Sequence, residues 1–250
     1  MANLPSTSDN WAALRRFTAA RIALGHAGSG LPTTAHLAFQ LAHARARDAV
    51  HTPLNTAALI GALAAGGFEA LKVASAAADR AAYLARPDLG RRLSESSQAR
   101  LSQPIVAPDV VIAAVDGLSS TAVFANAVPV IAALAPRLKQ NGRSIAPVIV
   151  ATQGRVALGD HIGELLQAKV AVVLIGERPG LSAFDSLGVY ITWMPRIGRF
   201  DSERNCISNV RTGGLSPAEA AAQTASLIEG MFRFQTAGID LSTRLALPGA

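Results

Sequence analysis

The sequence predicts an α/β fold: a Rossmann-like, mainly parallel sheet with helices on both faces, preceded by an N-terminal helical region. Three observations carry this expectation. From about residue 105, apolar runs of strand length alternate with helical segments, the order that produces a parallel sheet between helices. Residues 170–180, Val-Ala-Val-Val-Leu-Ile-Gly-Glu-Arg-Pro-Gly, pass from a buried-strand run directly into a polar loop. Half of the 250 residues are hydrophobic, enough to bury a full core in one large domain or two small ones. The expected division is a helical arm over residues 1–68 and a Rossmann-like domain over 69–250.

Taken in order, residues 11–24 place Leu14, Phe17, Ala20, Arg21 and Leu24 at helical spacing. Gly25-His26-Ala27-Gly28-Ser29-Gly30 breaks that pattern, and Pro32-Thr33-Thr34 restarts a helix that runs to about Val50. These glycines join two helices and miss the G-x-G-x-x-G order, so they read as a loop and not as a nucleotide cradle. Residues 70–75 suit a short strand, residues 86–93 form an arginine-rich turn, and a helical segment follows. Strands over 110–115, 146–151 and 188–193 empty into Asp116-Gly117-Leu118-Ser119, Thr152-Gln153-Gly154-Arg155-Val156 and Met194-Pro195-Arg196. In an open parallel sheet such exits border the ligand crevice. Ser216-Pro217-Ala218-Glu219 supplies an N-cap, a proline at the first helical position and a capping-box glutamate, and opens a helix to about Thr236.

Composition narrows the function classes. No apolar run is expected to reach the roughly 20 residues that span a bilayer, and the N-terminus lacks the basic and apolar blocks of a secretory signal. A cytoplasmic protein without a membrane partner is the expectation. Cys206 is the single cysteine, so neither an internal disulfide nor a thiolate cluster is available. The net charge is +6, with 20 arginines against 3 lysines. The arginines are dispersed, with no aromatic-interleaved basic stripe and no nucleic-acid motif, so nucleic acid is not expected as a partner.

The chain resembles the small subunit of ethanolamine ammonia-lyase from about Leu14 to Asp240. The resemblance rests on Leu14-Arg15-Arg16-Phe17-Thr18 with Arg21-Ile22-Ala23-Leu24-Gly25, the string 39–50 (FQLAHARARDAV), the 86–93 turn, Asp116-Gly117-Leu118-Ser119, and Gly154-Arg155-Val156. It continues through Asp160-His161-Ile162-Gly163-Glu164, Ile175-Gly176-Glu177-Arg178-Pro179-Gly180 and Arg204-Asn205-Cys206-Ile207-Ser208-Asn209. What it implies is a radical enzyme complex that uses adenosylcobalamin to convert ethanolamine into acetaldehyde and ammonia. A large barrel subunit binds the substrate, and the small subunit holds the cobalamin against it. By motif, Val156, Glu177 and Cys206 fall on the family's cobalamin-contact positions, with no catalytic residue and no metal ligand in this chain. Some family members carry a longer N-terminal leader associated with bacterial microcompartments. About a dozen residues precede the shared region here, which leaves open both a free cytoplasmic location and enclosure in such a shell.

Read from the residues alone, each candidate has an ordinary alternative. Val156 could meet the corrin rim or be a plain loop valine. Glu177 could accept hydrogen bonds from corrin amides or pair with Arg178. Cys206 could pack against the cofactor or be a small buried residue. Asp116 and Ser119 could face an anionic nucleotide tail or cap a helix. Arg155 and Arg178 could reach phosphate or the large subunit, or face solvent. Asp160 and His161 are adjacent, so the Asp-x-His-x-x-Gly pattern of proteins that place a histidine on cobalt is not met. Base-on binding, with the cofactor keeping its own benzimidazole, is therefore expected. Two other readings are a stand-alone nucleotide-dependent α/β enzyme and a structural subunit without cofactor contact.

Overall fold

The computed structural model describes residues 12–102 and 106–246. Helices α1 (Ala12–Arg15), α2 (Thr33–His51) and α3 (Thr56–Ala65) come first. Then follow β1 (Ala70–Ala74), α4 (Arg80–Ala85), α5 (Glu95–Leu101), β2 (Val110–Val115), α6 (Ser120–Gln140), β3 (Val148–Thr152) and α7 (Leu158–Leu165). Strands β4 (Val170–Gly176), β5 (Leu187–Trp193) and β6 (Arg204–Val210) complete the sheet, and α8 (Pro217–Phe234) and α9 (Gly238–Ala246) close the fold.

The strand order is β1-β3-β2-β4-β5-β6. The pairs β1–β3, β2–β3 and β2–β4 are parallel, whereas β4–β5 and β5–β6 are antiparallel. The sheet is therefore mixed, which corrects the mainly parallel Rossmann-like expectation. The cause is chain length: only residues 177–186 separate β4 from β5, and only 194–203 separate β5 from β6. A parallel return needs a crossover of a dozen or more residues, so these links turn the chain back instead.

Alternation along each strand divides the core between two faces. On the first face Val110, Ile112, Val148, Val150, Val172, Leu174, Val189, Ile191 and Ile207 pack with residues of α3, α6 and α8. On the second face Val73, Val111, Ala113, Ile149, Ala151, Ala171 and Val173 pack with Leu93, Leu101, Leu158 and Ile162 from the α5 and α7 region. Each such aliphatic side chain, once fully buried, contributes about 1.5–3 kcal/mol. β5 and β6 supply the first cluster with Leu187, Val189, Ile191, Ile207 and Val210, yet the second cluster touches only Tyr190 of the two strands.

Two further expectations need correction. The 11–24 helix ends at Arg15, because the Arg15 guanidinium donates to the carbonyls of Ile22 and Ala23 and Ala23 turns into the left-handed region at φ 52°. Trp11 lies outside the described residues. Helix α6 is 21 residues long with a mean hydropathy of 1.5, so one run does reach spanning length and apolarity; half of it is buried in the core, against the sheet and α8. The α2 helix forms as its Pro-Thr-Thr start suggests, and α8 carries the expected capping box, with Ser216 and Glu219 exchanging hydrogen bonds. Of the 19 residues of α2 only Ala49 is buried.

Candidate functional site

The exits of β2, β3 and β4 line one end of the sheet. Because β5 and β6 alternate in direction, Gly176, Leu187 and Val210 are register partners at that same end. The loop Met194-Pro195-Arg196 thus lies at the opposite end of the sheet from the other exits, and does not border their crevice. Strand direction leaves no mark on an apolar run, but the short link of residues 177–186 was the sequence signal for it.

Two of the sequence-derived candidates, Glu177 and Cys206, border a single surface. On β5 and β6 the second face presents Gly188, Tyr190 and Thr192 beside Arg204, Cys206 and Ser208; Asp160 of α7 packs over the Thr192–Arg204 end, where both residues are buried, while Tyr190 is half-buried and Cys206 and Ser208 are exposed. Glu177, just past β4, leans over this surface: a Cβ on Gly188 would sit 3.1 Å from Glu177 Oε1 and 3.0 Å from Tyr190 Cε2. The Ser186 hydroxyl donates to Glu177 Oε2 at 2.5 Å, which answers the Arg178 alternative. Tyr190 pairs with Cys206 across the strands. Burial foremost, then the Cys206 contact, pushes the Tyr190 phenol up to about 12, so it stays protonated at neutral pH. Burial also raises the Cys206 thiol, although Cys206 is exposed and not the buried residue that its neighbours suggest. Val156 is half-buried and packs on the same apolar cluster that Tyr190 touches.

One wall of this surface is fixed by a buried ion pair. Arg204 Nη1 and Nη2 donate to Asp160 Oδ1 and Oδ2 at 2.5 and 2.6 Å, and Nη1 also reaches Thr192 Oγ1 at 2.9 Å. The pair ties α7 to β6 over β5. Gly159 and Gly163 let α7 lie close on the sheet, since a Cβ at either would stand 2.2 Å from Val173 or 2.3 Å from Pro195. His161 is buried beneath α7, and its Nδ1 accepts from the Leu93 amide at 3.2 Å. Burial lowers its pKa, so the ring is neutral at pH 7.

A second cluster occupies the crevice between β2 and β3, whose connections leave toward opposite faces. Asp116 accepts from the amides of Gln153 at 2.8 Å and Gly154 at 3.1 Å, and Arg80 Nη1 lies 3.7 Å away. Arg80 also donates to the Gly117 and Val50 carbonyls. Arg80 and Arg155 stack on the Tyr83 ring at 4.6 and 4.2 Å, and Arg155 donates to the Tyr83 carbonyl. Arg155 is therefore not the solvent-facing loop arginine of the plain reading. Ser119, in contrast, caps α6 by accepting from Ala122. Gln153 sits at φ 57°, a left-handed conformation that is costly for a side-chain-bearing residue. Sequence reading missed Tyr190, Gly188 and the Arg80–Tyr83–Arg155 stack. Strand alternation could have found Tyr190, but the stack joins segments 72 residues apart and leaves no local signal.

The arrangement offers groups that can bind and orient a ligand. It offers one carboxylate, one phenol and one thiol on one surface, with no groups of three or more His, Cys, Asp or Glu that could hold a metal among the described residues. Gly188 is buried beneath the Glu177 and Tyr190 side chains, which approach its Cβ position at 3.1 and 3.0 Å.

Residues 8–242 match the family model described as Ethanolamine ammonia-lyase light chain (EutC). The chain is 52% identical over 241 residues to the ethanolamine ammonia-lyase small subunit of Azotobacter vinelandii, covering 95% of this chain and 89% of that protein. It is 48% identical over 244 residues to the small subunit from Xanthomonas campestris pv. campestris, covering 96% and 90%. The small subunit from Pseudomonas aeruginosa strain LESB58 is 50% identical over 240 residues, covering 94% and 88%.

Proposed function

Since the chain belongs to the ethanolamine ammonia-lyase light chain family and is a component of an ammonia-lyase complex, we propose that it is the cofactor-holding half of that complex. Adenosylcobalamin lies base-on across the Tyr190–Cys206 part of β5 and β6, and a large subunit closes it from the other side and carries the ethanolamine site. One observation carries this reading: Glu177 lies against Gly188 and Tyr190, and Tyr190 is the cross-strand partner of the exposed Cys206, so the three share one sheet surface.

When bound, the cofactor supplies a cobalt–carbon bond whose homolysis begins radical chemistry. The residues of this chain bind and orient. The Glu177 carboxylate, anchored by Ser186, accepts from uncharged amide donors at the corrin edge. Tyr190, held protonated, donates or accepts beside it. Val156 gives the rim an apolar contact, and Cys206 packs closely without acting as a nucleophile. His161 favours base-on binding: it is buried, and because its Nδ1 accepts from Leu93 the neutral ring carries its proton on Nε2, so neither nitrogen offers a free lone pair to cobalt.

The N-terminal arm supplies the partner surface. Phe17, Leu37, Phe39 and Leu41 are exposed, from 41% for Phe39 to 73% for Phe17, beside Arg16, Arg45 and Arg47. A concentration of exposed apolar groups rimmed by cations suits docking to a partner with apolar and acidic groups.

The test is to purify this chain with and without its large subunit and measure cobalamin retention and ammonia release. Retention and activity are expected only in the complex, and both fall with Glu177→Ala and Val156→Asp. Activity of this chain alone would favour the independent enzyme. A complex whose cofactor affinity ignores both substitutions would favour the structural subunit.

A further inference from the structure

In doubly wound sheets the crevice where adjacent connections diverge is the usual ligand site, because backbone amides there face an anion. In this chain that crevice is already filled from within. The successive amides of Gln153 and Gly154 point at the Asp116 side chain, which is only 4% exposed, and the Arg80 guanidinium stands beside it. The surroundings are rich in donors: Arg80 Nη2, Tyr83 Oη and Arg155 Nε are buried there without hydrogen-bond partners. Burial pushes the Asp116 carboxyl pKa up, while the two amides and Arg80 pull against it.

The loop that Asp116 grips is the one that carries Val156. It holds Gln153 in a left-handed conformation, and no side chain could stand at Gly154, where a Cβ would lie 2.3 Å from Val115 Cγ1 and 2.8 Å from Leu158 Cδ2. Past the Asp116 contacts, the Arg155 amide donates to the Gly90 carbonyl at 2.8 Å and its guanidinium to the Tyr83 carbonyl at 3.1 Å. Strained backbone of this kind persists only where its surroundings over-determine it.

We infer that Asp116 is a built-in anion occupying the β2–β3 crevice, that it is the positioning residue for the Val156 loop, and that it excludes phosphate-bearing ligands from that crevice. The positioning role rests on the proposed cofactor contact of Val156.

The experiment uses the assembled complex with Asp116→Asn and Asp116→Gly. Asp116→Asn, nearly isosteric, replaces one acceptor by a donor facing an amide. It is expected to raise the apparent dissociation constant for adenosylcobalamin about tenfold, as the loss of about one charge-assisted hydrogen bond would. The KM for ethanolamine should stay within about twofold of the parent value, because that site belongs to the partner. Backbone amide exchange over residues 153–157 of the cofactor-free complex is expected to quicken. Asp116→Gly leaves a carboxylate-sized gap, and added formate is expected to restore part of the cofactor affinity. Unchanged exchange over 153–157 with unchanged cofactor affinity in Asp116→Asn would overturn the inference, as would an Asp116→Gly complex that assembles and ignores formate. Should Asp116→Gly fail to assemble, Asp116→Asn decides alone. If Glu177→Ala weakens cofactor binding while Asp116→Asn does not, only this inference fails; if neither Glu177→Ala nor Val156→Asp weakens it, the cofactor site itself is misassigned.

Discussion

Arg204 and Asp160 meet end to end in a two-pronged ion pair whose side chains are each 2% exposed, joining the first residue of β6 to the first turn of α7. Removing one partner leaves the other charge buried and uncompensated. Asp160→Asn or Arg204→Met is expected to cost about 3–5 kcal/mol, read as a lower midpoint in denaturant unfolding. Replacing both with apolar residues should cost less than either single change, because no unpaired charge then remains.

Gly188 is buried beneath the Glu177 and Tyr190 side chains. An added methyl at this position would meet Tyr190 Cε2 at 3.0 Å and Glu177 Oε1 at 3.1 Å, so both must shift by a few tenths of an ångström. Gly188→Ala is therefore expected to weaken cobalamin affinity in the complex about tenfold while moving stability by less than about 1 kcal/mol. Spectroscopic titration with cobalamin, set beside a melting curve, separates the two effects.

The Cys206 thiol is exposed but its pKa is raised by burial of its surroundings. Only the thiolate attacks an alkylating agent, so the rate should climb with pH and reach half its maximum above the ordinary value of 9.0. Cys206 is the sole cysteine of the chain, so the reaction reports one site. In the complex, saturating cobalamin is expected to slow this alkylation at least about fivefold, the effect of covering the thiol in most molecules.

Helix α2 presents Leu37, Phe39 and Leu41 to the outside, each more than 40% exposed. Leu37→Asp with Phe39→Asp should leave the melting temperature of the isolated chain within about 2 °C of the parent, because neither side chain is in the core. The same pair of changes is expected to abolish co-purification with the large subunit. Loss of folding without loss of assembly would argue that α2 packs internally.

Much of the fold was legible before the structure. β2 and β4 announce themselves because a strand buried on both faces is a continuous apolar run, and the Ser216-Pro217-Ala218-Glu219 signal at α8 is purely local. The direction of β5 leaves no mark on its apolar run, but the link of residues 177–186, too short for a parallel crossover, was the signal that could have revealed it. β6 was missed as a strand: Arg204-Asn205-Cys206-Ile207-Ser208-Asn209-Val210 is polar at most positions because Cys206, Ser208 and Asn209 are exposed and its buried arginine is neutralised by Asp160 from another segment. At the site, Val156 and Glu177 came from the family resemblance, since a valine and a glutamate past strand exits read equally well as ordinary loop residues. The roles of Asp116 and Arg155 depend on partners 37 and 72 residues away, beyond the reach of any local pattern.

The most direct measurement is the structure of the assembled complex with cobalamin bound, resolved well enough to place the macrocycle. The expected result is a corrin lying over β5 and β6, its amides within hydrogen-bonding distance of Glu177, its rim against Val156 and Cys206, and its own benzimidazole on cobalt. A macrocycle seated on any other surface of this chain, or enclosed by the large subunit alone, would contradict the account.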